Sequence, residues 1–133
     1  MGAVVADTHA LIWYLFEPQQ LSDKARIALR EAEANPGIIY VPTIAIVEVR
    51  YLVEKGTITE DVFQKMLNSL LDPSTALTAV PLDLEISRAL ERVPKVKVPD
   101  MPDRIIAATA LHLSLPLITR DRKIQASNVQ TIW

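Results

Sequence analysis

The order of the chain constrains it most: a short apolar run, a helix-length segment, another short apolar run, and so on to the end. Ala3-Val4-Val5-Ala6 is a short continuous apolar run with no polar residue to alternate with, and Asp7 follows at its C-terminal end. Such a run reads as a parallel strand covered on both faces. Ile38 to Val41, Leu77 to Val80, Leu117-Ile118-Thr119 and Val129 to Ile132 are further short strand candidates, rich in β-branched residues. Helical segments lie between them. Ala10 to Phe16 is closed by Pro18. A second helix is capped by Ser22, carries Leu21, Ala25, Ala28, Leu29 and Ala32 at helical spacing, and is stopped by Asn35-Pro36-Gly37. Pro42-Thr43 leads into a third that runs to about Lys55 before Gly56, and Thr59 caps a fourth through Leu71, ended by Asp72-Pro73. Asp83 to about Arg92, then Asp100 to Ser114 beyond a Pro94–Pro99 linker, complete the set. Strands alternating with helices predict a three-layer α/β/α sandwich around a parallel sheet of about five strands.

Length and composition fit one domain over residues 1–133, with half of the residues hydrophobic. There is no cysteine, which excludes disulfides and thiolate metal sites. A net charge of −2 argues against a plain nucleic-acid-binding module. It leaves room for an enzyme that meets phosphates through a metal. The apolar stretch Thr8 to Phe16 is too short to span a bilayer, and the start lacks the basic segment of a signal peptide. A cytoplasmic protein is expected.

The acids carry the chemical information. Ligands of open parallel sheets bind outside the carboxyl ends of the strands. Asp7 follows the first strand and Asp121 the fourth; Glu48 lies in the early turns of the helix after the second strand, and Asp103 in the first turn of the helix leading to the fourth. If that last helix runs antiparallel to the strands, all four meet at one edge. Glu48 shares its helix face with Ile44, Val47, Tyr51 and Leu52, and Asp103 shares its face with Ile106, Ala107, Ala110 and Leu111. A charge on an apolar stripe must be paired or bound to a metal. Two carboxylates at about 4 Å repel by about 4 kcal/mol at an effective dielectric of about 20, so four together call for a cation. An all-oxygen set favours Mg²⁺ or Mn²⁺ over Zn²⁺. Each aspartate also has an ordinary structural role open to it. Asp7 and Asp121 could cap helices, and Asp103 could close a capping box begun by Asp100.

At this point the sequence resembles the PIN-domain ribonucleases found as VapC-type toxins. The residues that carry the resemblance are Asp7-Thr8-His9 with Ala10-Leu11-Ile12-Trp13, Leu21-Ser22, Pro42-Thr43, and Glu48 within Ile46-Val47-Glu48-Val49. Pro102-Asp103-Arg104-Ile105-Ile106-Ala107-Ala108-Thr109-Ala110 and Leu117-Ile118-Thr119-Arg120-Asp121 are the most specific of them. The four family acids fall on Asp7, Glu48, Asp103 and Asp121. The resemblance implies Mg²⁺-dependent endonucleolytic cleavage of single-stranded RNA, a homodimer and a tight antitoxin partner. Some relatives carry Asp-Pro-x-Asp. Here the segment is Asp100-Met101-Pro102-Asp103, which leaves Asp100 open as a ligand or a cap.

On this reading Asp7 and Asp103 hold the metal most directly, while Glu48 and Asp121 hold a second metal or water, with Glu48 as general base. Thr8 and Thr119 would orient these carboxylates. Arg104, Arg120 and Arg122, with Lys123, flank the acids in sequence and would contact RNA phosphates. Trp13, Tyr14 and Phe16 are expected in the core or at a dimer interface. Two other readings compete: a phosphatase or phosphotransferase with Asp7 as nucleophile, and a non-catalytic PIN-like regulatory domain.

Overall fold

A computed structural model describes residues 2–34 and 37–133. The expected helix stop at Asn35-Pro36 lies outside the described residues. The strands are β1 (Val4–Ala6), β2 (Ile39–Pro42), β3 (Leu77–Val80), β4 (Leu117–Ile118) and β5 (Thr131–Ile132). The helices are α1 (Thr8–Phe16), α2 (Asp23–Ala34), α3 (Thr43–Glu54), α4 (Glu60–Leu71), α5 (Leu84–Ala89), α6 (Met101–Leu113) and α7 (Arg122–Gln125). All pairings are parallel and the strand order is β3-β2-β1-β4-β5.

β1 is central, and all three of its residues are buried. Its side chains divide between two apolar layers, as a period of two requires. Val4 and Ala6 join Leu11, Leu29, Ile39, Val41, Val49 and Met66 on one side, where α1 to α4 pack. Val5 faces the other way into Ile106, Ala107, Leu117 and Ile124, against α5 and α6. This is the expected three-layer sandwich. No helix among the described residues is long and apolar enough to cross a membrane.

Element ends moved by small amounts, each for a local reason. α1 starts at Thr8, ahead of its apolar run, because the Asp7 side chain accepts from Ala10 N–H at 2.9 Å. Ser22 caps α2 as expected, its hydroxyl accepting from Ala25 N–H at 3.0 Å. Gly56, at φ 85°, follows the end of α3. The segment expected as one helix to Arg92 breaks into α5 and a 3₁₀ turn over Leu90–Arg92. β5 covers only the second half of the strand expected from Val129 to Ile132.

The apolar stripe inferred around Glu48 needs correction. The buried residues of α3 are Ala45 and Val49. Val47 and Tyr51 are 48% and 69% exposed. Ile44 and Leu52, one turn to either side of Glu48, are half-buried and pack on the core layers, so the stripe containing Glu48 straddles the edge between core and solvent. The stripe around Asp103 is different: Ile106, Ala107 and Ala110 are buried.

Candidate active site

Parallel strands end together, so the segments leaving β1, β2 and β4 emerge at one edge. α6 runs back along the sheet to feed β4 and brings its N-terminus to that same edge. A cleft of about 330 Å³ opens there, lined by Asp7, Thr8, His9, Trp13, Glu48, Asp100, Asp103, Arg120 and Asp121. The four acids expected from the sequence therefore share one cleft with a fifth, Asp100.

Asp7 lies at its floor. Protein atoms crowd it, and part of its carboxylate opens to the cleft. Burial pushes its pKa up, against the hydrogen bonds from the Thr119 hydroxyl and Ala10 N–H that favour the charged form. Asp121 is placed by the same device: its Oδ1 accepts from Ile124 N–H at 2.9 Å at the start of α7. Both aspartates cap a helix and face the cleft with the rest of the carboxylate, so the structural and the chemical role coexist in one residue.

Thr119 and Thr8 are buried polar residues whose hydroxyls meet the acids. The Thr119 hydroxyl accepts from Asp121 N–H at 3.0 Å and hydrogen-bonds Asp7, linking the acids that follow β1 and β4. The Thr8 hydroxyl donates to Glu48 Oε1 at 2.5 Å. That bond draws the Glu48 carboxylate from the flank of α3 across to α1. Burial raises the Glu48 pKa, and Asp100 and Asp7 add to this; the Thr8 bond opposes it.

Asp100 resolves as a cap that also faces the cleft. Its Oδ2 accepts from Asp103 N–H at 3.2 Å. The reciprocal bond of a capping box, from Asp100 N–H to the Asp103 carboxylate, is not formed. The Asp103 side chain stays in the cleft, where burial, then Asp100, Asp121, Glu48 and Asp7, push its pKa up to about 7. Ligand oxygens of Glu48, Asp100 and Asp103 lie within 4.8 Å of one another. The tightest trio is thus Glu48, Asp100 and Asp103, with Asp7 and Asp121 beside it. Asp100, left open in the sequence between ligand and cap, takes both positions: it caps α6 and stands in this trio.

The donors of the trio are carboxylate oxygens only, and no protein cation offsets the burial and repulsion that raise Asp103. Such a set fits a hard divalent cation.

The basic residues separate. Arg120 lines the cleft, its guanidinium 4.6 Å from the centroid of the Trp13 ring. Arg122 and Lys123 line an adjoining groove that shares Asp100, Asp103 and Asp121. Arg104, expected at the phosphates, turns away. Its guanidinium donates to the carbonyls of Val93 (2.8 Å) and Leu90 (3.0 Å), pinning α6 to the 3₁₀ turn. Residues one apart on a helix point in different directions, and the cleft side belongs to Asp103. Trp13 packs on the core as expected but also lines the cleft, which sequence periodicity gave no way to see.

Five parallel strands in this order, with acids gathered beyond β1, β2 and β4, are what a PIN-type α/β/α domain provides. Residues 4–128 match the PIN domain family, and the chain belongs to it. Among curated proteins it is similar to Ribonuclease VapC22 of Mycobacterium tuberculosis, 28% identical over 145 residues that cover all of both chains. The fold is shared with VapBC2 from Rickettsia felis bound to a DNA fragment from its promoter: TM-score 0.70, 16% identity, 98% of this chain and 97% of that one. It is shared too with a toxin–antitoxin complex from Klebsiella pneumoniae: TM-score 0.66, 23% identity, 98% and 96%.

Proposed function

We propose that this protein is a metal-dependent endoribonuclease, the toxin of a toxin–antitoxin pair, with Asp7, Glu48, Asp100, Asp103 and Asp121 as its active site. The observation that carries the reading is the cleft itself. Five carboxylates share it, and burial and mutual repulsion raise Asp103 to about 7. Membership of the PIN family and similarity to a VapC ribonuclease support RNA as the substrate. Likeness to solved toxin–antitoxin complexes agrees with a cognate antitoxin. A homodimer within the cytoplasm belongs to the same reading.

Glu48, Asp100 and Asp103 would hold Mg²⁺ or Mn²⁺ most closely, with Asp7 and Asp121 completing the shell or serving a second ion. This amends the expected assignment, in which Asp7 and Asp103 led. The ion supplies Lewis-acid stabilisation of charge developing on the phosphate and acidifies water at the site. Thr8 fixes Glu48 through Oε1, which leaves its other oxygen free to accept a proton from the attacking water. Thr119 holds Asp7 and the backbone of Asp121 in one register. Arg120 in the cleft and Arg122 in the adjoining groove would meet substrate phosphates; Arg104, bonded to the carbonyls of Val93 and Leu90, would not.

The phosphotransferase reading is disfavoured. Asp7 shares its cleft with four further carboxylates, a set that suits metal-borne chemistry better than attack by one carboxylate on an anionic phosphoryl group. A regulatory domain without catalysis would tolerate Asp103→Asn. The decisive experiment incubates the purified protein with RNA in Mg²⁺ or in EDTA. Cleavage is expected in Mg²⁺ alone and is lost in Asp103→Asn; cleavage surviving both treatments overturns the metal site. Growth arrest on expression, relieved by the product of a neighbouring small open reading frame, tests the toxin role.

A further inference from the structure

Arg120 behaves oddly for a cation among acids. It lines the cleft with Asp7, Glu48, Asp100, Asp103 and Asp121, and is chain neighbour to one of them. Yet it forms no ion pair with a carboxylate of the described residues. Its guanidinium rests on the Trp13 ring instead, at 4.6 Å. Trp13 is well anchored for this. Projecting from α1, it is partly buried against the core, with His9 at 5.5 Å and Trp133 at 5.8 Å, both tilted.

A guanidinium over an indole is attracted by the negative ring face. That contact uses no N–H donor, and none of the Arg120 donors is engaged by an acceptor among the described residues, so the fork that matches phosphate oxygens is left available. A free arginine on this loop would instead fall onto the acids and compete with the metal. We propose that Trp13 is a positioning residue that holds Arg120 at the lip of the cleft, clear of the carboxylates, where its guanidinium clamps a non-bridging phosphate oxygen of the RNA strand. The clamp rests on the ribonuclease reading for its substrate; the separation of Arg120 from the acids does not.

Two measurements test it on the intact protein. The first is Mn²⁺ affinity, read from the paramagnetic resonance of free Mn²⁺. Trp13→Leu should weaken binding by about two- to fivefold, the range that loss of an exposed cation–π contact supports. In an Arg120→Ala background the same substitution should change nothing. The second is KM for a single-stranded RNA across salt concentration. Arg120→Ala should raise KM more than it lowers kcat and reduce the slope of log KM against log salt by about 0.7, one phosphate contact on a single strand. Trp13→Leu should reproduce that reduction. Trp13→Phe, which keeps a weaker ring face, should show smaller changes of the same sign, and it stands in if the leucine variant does not fold. Mn²⁺ affinity unchanged in the Trp13 variants, or lowered equally with and without Arg120, overturns the positioning claim. An unchanged salt slope in Arg120→Ala overturns the clamp. A wild-type protein that cuts no RNA refutes the functional reading and the clamp with it, while the Mn²⁺ measurement still decides the positioning claim.

Discussion

Replacing Asp103 by asparagine should make the metal-free protein more stable at neutral pH while destroying its activity. Burial and then four other carboxylates raise the Asp103 pKa from 3.8 to about 7. Well below pH 3.8 this group is protonated in both the folded and the unfolded chain and costs nothing. As pH rises the unfolded chain releases its proton first, so the folded state loses relative stability up to about pH 7, beyond which the loss is constant. At about 1.4 kcal/mol per pH unit the ceiling is about 4 kcal/mol. About half of the group meets solvent, and screening lowers this to about 2 kcal/mol. The acids titrate as a set, so the figure belongs to the cluster. Asp103→Asn keeps the shape and removes the charge. Thermal unfolding in EDTA should then show Tm higher by about 4–8 °C at pH 7.5 for a chain of this size, with little of that difference left at pH 4. Adding Mn²⁺ should raise Tm of the native protein and do less for the variant. A gain of equal size at pH 4, or a loss at pH 7.5, would refute the argument that carboxylate repulsion destabilises the metal-free site.

Three further outcomes follow from the same geometry. Asp7→Asn should abolish cleavage while keeping the α1 cap; Asp7→Ala should abolish it and also cost about 1 kcal/mol in denaturant unfolding, because Ala10 N–H loses its acceptor. Thr8→Val removes the hydrogen bond that holds down the Glu48 pKa. The acid limb of the pH–rate profile should move to higher pH, with kcat lower by about tenfold. Arg104→Ala should lower stability by about 1.5–3 kcal/mol through its lost bonds to Leu90 and Val93. It should leave the salt dependence of RNA binding unchanged, which a phosphate contact would not.

The fold was largely legible because its signals are local. The β1 run, Ser22, Thr59, Asp83 and the Asp72-Pro73 stop each act within one turn of their own position, and β1, β3 and α4 fall within a residue of where those signals put them. The 3₁₀ break at Leu90 was not legible, since Arg104 holds it from fourteen residues away. Half-burial of Glu48 was inferred for an incomplete reason. Its apolar neighbours on α3 are partly exposed, and what draws it in is the Thr8 hydroxyl across forty residues.

By itself the sequence determined that acids would stand at strand ends and helix starts, because caps and strand termini are set by neighbours in the chain. Only the tertiary structure decided how those acids group. Parallel pairing of β1 with β2 and β4 brings three chain segments to one edge. The antiparallel run of α6 adds Asp100 as well as Asp103, and makes Glu48, Asp100 and Asp103 the tightest trio. The same packing turned Arg104 inward and laid Arg120 on Trp13. Side-chain direction depends on which helix flank meets which neighbour. That is a property of contacts between distant segments, and no spacing along the chain encodes it.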